Sequence, residues 1–231
     1  MTPETLADVM QATWPPARAW AQGPFTLRDG AGGGKRVSAA CAAGDWAEAD
    51  IAALEAEMPE PLMLIRAGDE SLDAALQTRG WRLVDPVVAY AAPVSALEAE
   101  LPPLSAFPHW PPLEVALEIW GEGGIGPARL QVMNRVTTDK AAFLARLGDR
   151  PAGVAFAAHH GVEVMLHAVE VRPNLRRQGV GEVLLRAAAN WAAGMGASRV
   201  SLVVTTRNTA ARALYTRLGM QAVGQYHYRM K

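Results

Sequence analysis

Thiol chemistry is almost missing from this chain, which holds one cysteine, Cys41. A lone cysteine builds neither a disulfide framework nor a cysteine-based zinc site, so the secreted, disulfide-stapled class is excluded. As a nucleophile Cys41 has no supporting pattern, and a small buried or semi-exposed side chain is expected there. An excess charge of either sign is also missing. The formal net charge is −1, which gives no general attraction to nucleic acid or to an anionic membrane. No apolar run approaches the roughly 20 residues of a membrane span. The N-terminus lacks a signal-peptide pattern, and a cytoplasmic protein is expected. What is present is ordinary for a globular protein: 50% hydrophobic and 19% charged residues, in a length of 231 that suits one large or two small domains.

Two suggestive stretches lead nowhere. Gly30-Ala31-Gly32-Gly33-Gly34-Lys35-Arg36 invites comparison with a P-loop, but that pattern needs glycine where Asp29 stands and Ser or Thr where Arg36 stands. Strand-like residues on both sides, Phe25 to Leu27 and Val37 to Ala39, predict a glycine-rich hairpin turn instead. His159-His160-Gly161 reads as another hairpin turn. Neighbours on a strand face opposite ways and no third ligand lies at a useful spacing, so no metal is expected.

The informative stretch runs from Leu166 to Trp191. Val169 and Val171 suit a half-buried strand, which Pro173 ends because it cannot donate to a ladder. A polar turn, Asn174 to Gln178, leads through Gly179-Val180-Gly181 into a helix with Val180, Leu184, Ala188 and Trp191 on one face. A helix N-terminus carries orphan N–H groups and the positive end of the macrodipole. Glycines there let an anion approach, and Arg176 and Arg177 add charge. The physics is that of a phosphate cradle. Further on, the strand Arg199 to Thr205 precedes Asn208, a good N-cap, and a helix that closes at Gly219, a good C′ residue.

Arg176-x-x-Gly179-x-Gly181 after a Val-x-Val-x-Pro strand, then Asn208-x-x-Ala211-x-x-Leu214-Tyr215 and Leu218-Gly219-Met220, resemble the acyl-CoA signature of the GNAT superfamily of N-acetyltransferases. The resemblance covers residues 113 to 231. It implies an α/β fold with a mixed sheet and acetyl-CoA as cosubstrate, without a metal. It also implies that Val169, Glu170 and Val171 bond the pantetheine arm through their main chain, near a bulge that aims an N–H at the thioester oxygen. The amides of Arg177, Gln178, Gly179, Val180, Gly181 and Glu182 would hold the pyrophosphate with Arg176. Asn208 resembles the family's CoA-contacting asparagine, and Tyr215 its general acid. A glutamate that some members carry on the second strand is Val203 here, which puts a protein N-terminus as acceptor in doubt. The remaining base candidates are His167, which has the better address and belongs to the residue type able to titrate near neutrality, and Glu163 or Glu170.

The first half echoes the second. Setting Gly80 on Gly219 places Leu76 against Tyr215 and Val84 against Val223, which suggests a reduced GNAT-like or accessory α/β lobe over residues 1–95. That lobe has no R-x-x-G-x-G and no tyrosine at the matching place, so it should not bind acyl-CoA. Two unrelated helix-turn-strand units sharing a glycine cap remain an alternative. Proline density over 96–112 predicts a linker, followed by the main domain over 113–231. Two helices, Glu114 to Trp120 and Ala128 to Val136, flank a glycine-rich loop; the family resemblance implies that these helices and their loop wall the acceptor site, with Trp120, Glu122 and Arg129 nearby. The expected activity is acetyl transfer from acetyl-CoA to a primary amine of a small molecule or peptide. The alternative is an acyl-CoA-holding sensor or assembly domain without turnover. A third reading has the first lobe docking a partner that the second acetylates. Homodimerisation is left open, and neither nucleic acid nor membrane is an expected partner.

Overall fold

A computed structural model describes residues 1–231. The first half opens with helix α1 (Pro3–Thr13), strands β1 (Arg18–Gln22) and β2 (Phe25–Asp29), the one-turn helix α2 (Lys35–Ser38) and β3 (Ala40–Ala42). It continues with α3 (Glu48–Glu57), β4 (Leu62–Arg66), α4 (Glu70–Thr78), β5 (Arg82–Pro93) and α5 (Val94–Leu97). Next come β6 (Ala106–His109), α6 (Glu114–Glu122), α7 (Pro127–Arg135), β7 (Lys140–Leu147), β8 (Arg150–His160) and β9 (Glu163–Val171). The chain ends with α8 (Val180–Gly194), β10 (Arg199–Thr205), α9 (Thr209–Arg217) and β11 (Gln221–Met230). No helix is long and apolar enough to cross a membrane.

All eleven strands form one mixed sheet, in the order β1-β2-β3-β4-β11-β5-β10-β9-β8-β7-β6. Apart from α2, inserted between β2 and β3, the succession β1-β2-β3-α3-β4-α4-β5 recurs as β7-β8-β9-α8-β10-α9-β11, with β3–β4 and β9–β10 both parallel. The last strand of each series crosses over: β5 pairs with β10, and β11 lies between β4 and β5. The echo around Gly80 and Gly219 has a geometric counterpart. Both glycines have φ of +82°. Trp81 N–H donates to Leu76 C=O at 2.9 Å, and Met220 N–H to Tyr215 C=O at 3.0 Å, the long bond of a Schellman cap in each case.

Three expectations need correction. The stretch 96–112 is not free of regular structure, because Ala106–His109 pairs with β7. Pro108 is tolerated since β6 is an edge strand, with one side of its ladder unused. After Gly30–Gly34 the chain does not return directly as a strand. Val37 and Ser38 belong to α2, and pairing with β2 resumes only at Cys41 and Ala42. Tertiary packing decides this, since Val37 is fully buried in a cluster with Val132 of α7. His159 and His160 end β8 rather than forming the turn, which is Gly161-Val162.

The sheet is covered on both faces. On one, α8 buries Val180, Leu184, Leu185 and Ala188 against β7, β8 and β9 in the largest apolar cluster. On the other, α6 packs on β8 and β9, joined there by α1 from the first half. Trp14, at the end of α1, therefore sits in one cluster with Trp120 and Phe156. Residues from both halves meet over β9.

Candidate active site

Strands β9 and β10 pair only from Glu163–Arg199 to Leu166–Leu202 and then part. Just beyond, β9 carries one extra residue. Val154 pairs with Glu170 and Phe156 with His167, so Ala155 alone faces Ala168 and Val169. This is a β-bulge, with Ala168 at φ +52°, a region costly for a residue with a Cβ. Trp120 Nε1 donates to the Ala168 carbonyl at 2.8 Å and pins the bulge. Trp120 is fully buried, so it braces this strand and does not face a ligand. Glu122 is also occupied, bonded by Arg172 at 2.9 Å.

A cleft of about 450 Å³ opens on the α8 face of the parted strands. It gathers Val169, Glu170 and Val171 with Arg176, Arg177, Gly179, Val180, Gly181, Glu182, Asn208 and Tyr215. Of the expected cofactor-contacting residues, only Gln178 is not in its wall. The loop into α8 passes through left-handed backbone twice, at Arg177 (φ +63°) and Gly179 (φ +84°). Such geometry turns successive amides toward one point. Val183 is the first amide of α8 to find a carbonyl, that of Gly179 at 3.0 Å. The amides of Arg177 through Glu182 have no partner in the protein, and Gly179 as N-cap supplies no side-chain acceptor. This concentration of unmet donors fits a pyrophosphate. The Glu182 carboxylate is drawn aside by Arg186 at 3.0 Å. Gly181 serves packing as well, since a Cβ there would lie 3.0 Å from Leu214 of α9.

Asn208 caps α9, its Oδ1 accepting from Ala211 N–H at 3.1 Å. Tyr215 is buried at the cleft wall, and burial together with the Glu170 charge raises its pKa to about 12. Glu170 is itself half-buried, and desolvation raises its carboxyl against the opposing pull of Arg176 and Arg129. Its side chain abuts Gly123, where a Cβ would come within 2.6 Å of it, so the α6–α7 loop closes over Glu170.

His167 is placed differently from the sequence expectation. Arg36 Nη1 lies 2.9 Å from Nδ1, and Thr13 Oγ1 lies 2.9 Å from Nε2. A guanidinium only donates, so Nδ1 accepts and the neutral ring carries its proton on Nε2, which donates to Thr13. The Thr13 hydroxyl in turn donates a hydrogen bond to Val9 C=O at 2.6 Å. Burial, then the Arg36 charge, hold the imidazole well below its usual pKa. No lone pair of His167 is left to take a proton from an amine. Its work is to hold Arg36. Glu163 is also unsuitable, being buried at the far end of β9 in an ion pair with Arg199.

A second cleft, of about 400 Å³, lies on the opposite face, walled by both halves. Ala168 lines this one and Val169 the other, so the two approach each other at the bulge. Val203, Ile125 and Arg129 contribute from the second half, and Gly33 to Arg36 from the first. Sequence reasoning missed the latter. The glycine run was the available signal, and its use appears only with α7 in place: a Cβ on Gly33 would lie 2.5 Å from Val132.

Comparison with known proteins agrees with this geometry. Residues 106–220 match the model of the Acetyltransferase (GNAT) family. An uncharacterized N-acetyltransferase of Bacillus subtilis (strain 168), YobR, is 26% identical over 239 aligned positions, 95% of each chain. A GCN5-related N-acetyltransferase from Kribbella flavida superposes with a TM-score of 0.70 at 20% identity, covering 99% of this chain and 95% of that one. A tandem GNAT protein from the clavulanic acid biosynthesis pathway gives 0.63 at 14% identity, over 90% and 77%. The chain belongs to the GNAT superfamily of N-acetyltransferases and is an acyltransferase of that fold. An acyl-CoA thioester and an amine are the substrates that family uses.

Proposed function

We propose that the protein moves an acetyl group from acetyl-CoA to a primary amine by direct transfer, in the cytoplasm. The observation that carries this reading is the cleft in which the open amides of Arg177 to Glu182, the unpaired edge of Val169 to Val171, and Tyr215 converge. Main-chain groups of Val169 to Val171 bond the pantetheine arm, and the amide cradle with Arg176 takes the pyrophosphate. An N–H at the bulge stabilises the oxyanion as the amine nitrogen attacks the thioester carbon. The carbon–sulfur bond then breaks, and Tyr215 donates to the departing thiolate. A proton leaves the amine, and Glu170, with its raised carboxyl beside the α6–α7 loop, is the best-placed acceptor for it. Residues 1–95 are, in this reading, a reduced copy of the same lobe that supplies a wall of the acceptor cleft; the recurring strand pairings support it.

Acetyl-CoA should raise the melting temperature, since a ligand of the folded state alone must stabilise it. Free thiol released on adding amines then separates turnover from mere binding. Absence of any melting shift at saturating acetyl-CoA would remove the proposal, and a shift without thiol release from a broad amine set would favour the sensor alternative.

A further inference from the structure

The cleft opposite the cofactor side has an unbalanced lining. Lys35, Arg36, Arg129 and Arg207 face it, and Asp85 is its single carboxylate. Asp85 is already engaged, by Lys35 at 2.8 Å and Arg207 at 3.6 Å. That leaves the guanidinium groups of Arg36 and Arg129, neither of which makes an ion pair within 4 Å, although Arg129 feels the charge of Glu170.

Arg36 is built to stay in place. Its Nη1 donates to His167, its guanidinium lies over the Trp14 ring at 5.9 Å, and its own carbonyl accepts from Arg28 at 3.5 Å. Its Nε is buried without a partner. Because His167 is neutral it accepts from Arg36 without cancelling the charge. Arg129, in the first turn of α7, lies across the cleft, and a Cβ on Gly34 would be 3.7 Å from its Nε. The glycine-rich loop thus brings the anchored guanidinium of Arg36 to the same opening as that of Arg129.

Resting on the acetyl-transfer reading above, we propose that the acceptor amine carries an anionic group, a carboxylate or phosphate, which Arg36 and Arg129 hold while the amine points to the bulge at Ala168. The physical case has two parts. Arg36 keeps a buried Nε without a partner, a costly state for a cation without a counter-charge, and the guanidinium forks of Arg36 and of the exposed Arg129 match both oxyanions in shape. A field of positive charge also disfavours the ammonium form of the bound amine. The amine is thereby brought closer to its neutral, attacking state, which lightens the task of any base. A simple cationic amine without the anion would instead be repelled.

The test uses the intact protein, acetyl-CoA and matched amines: free L-amino acids, their carboxamides, and O-phosphoethanolamine against ethanolamine. Free thiol release gives kcat/KM for each, and the acetyl-CoA melting shift is measured alongside. Anionic members should exceed their neutral partners by about tenfold to a hundredfold, the worth of a charged hydrogen-bonded contact, and whichever pair shows the gap names the oxyanion. Arg129→Gln, on an exposed position, should raise KM for the anionic acceptor by about tenfold while the acetyl-CoA shift is unchanged, and Arg36→Gln should do the same. Equal or better turnover of the neutral amines, or an unchanged KM in folded Arg129→Gln, would overturn the proposal. Loss of the acetyl-CoA shift in the unaltered protein would instead overturn the acetyl-transfer reading.

Discussion

Arg36 and His167 meet at 2.9 Å, joining the glycine-rich loop of the first half to the bulged strand of the second. The bond needs a neutral ring. Since the folded-state pKa is lowered well below 6.5, the unfolded chain takes up this proton first. His167 therefore makes the fold lose stability as pH falls below about 6.5, by up to about 1.4 kcal/mol per pH unit until the folded value is reached. Urea unfolding between pH 7.5 and 5 should show this slope, and His167→Gln should flatten it. An equal slope in the variant would mean another group titrates.

Tyr215→Phe should lower kcat by about 10²- to 10⁴-fold, the usual range for a lost general acid. The acetyl-CoA melting shift should stay nearly intact. With a pKa of about 12, the hydroxyl stays protonated through any practical assay, so the unaltered protein should show no alkaline fall in rate from this residue. Unchanged turnover in the variant would move the role elsewhere.

Glu170→Gln separates function from stability. Burial raises the carboxyl in the fold, so its charged form is disfavoured there, and stability from its proton is present at low pH and lost as pH rises through the folded value. Removing the charge should leave the protein as stable as before, or more so, at pH 7. The acid limb of kcat/KM should disappear if Glu170 is the base. Persistence of that limb would point to a water-mediated route.

Gly179→Ala forces a Cβ into φ +84°, at a cost of about 1–2 kcal/mol. The larger consequence should fall on the cradle, whose amides must turn for the backbone to relax. Calorimetric titration should show weakened acetyl-CoA binding beyond what the melting temperature of the free variant explains. Undiminished affinity would make the loop purely structural.

Asp73 of α4 tethers β11 through Arg229, with Nε at 2.7 Å and Nη2 at 3.1 Å. Arg229 is buried and would be left uncompensated in Asp73→Asn. The expected loss is somewhat below the roughly 3–5 kcal/mol of a fully buried pair, because Asp73 keeps 25% exposure. The Arg229 bonds lower the Asp73 pKa, so this stabilisation is present above about pH 3.9 and lost as pH falls through the folded value. Denaturant midpoints across acid pH would check both statements.

The cofactor side of the site was legible because it is local. Arg176 to Gly181 and Asn208 to Tyr215 are short segments whose chemistry follows from glycine, capping and helix-end physics. The acceptor side was not, because it depends on contacts between distant segments. Nothing near His167 announces that Thr13 and Arg36 will occupy both ring nitrogens. The glycine run at 30–34 shows its purpose only against Val132 and Arg129. The unbroken apolar run Val87 to Ala92 of β5 marks a buried strand but not its neighbours, so the crossed strands could not be read from pattern alone.

Those crossed strands govern the order of assembly. Tyr226 pairs with Arg66 on one side and Val87 on the other, so β11 is the seam between partners made long before it. Until it emerges from the ribosome, β4 and β5 each offer an open edge that invites pairing with a neighbouring chain. Closure of the sheet is a late, long-range event of the kind that slows folding. Deleting Gln221–Met230 would not trim an enzyme at its margin; it would unzip one sheet into pieces of four and six strands.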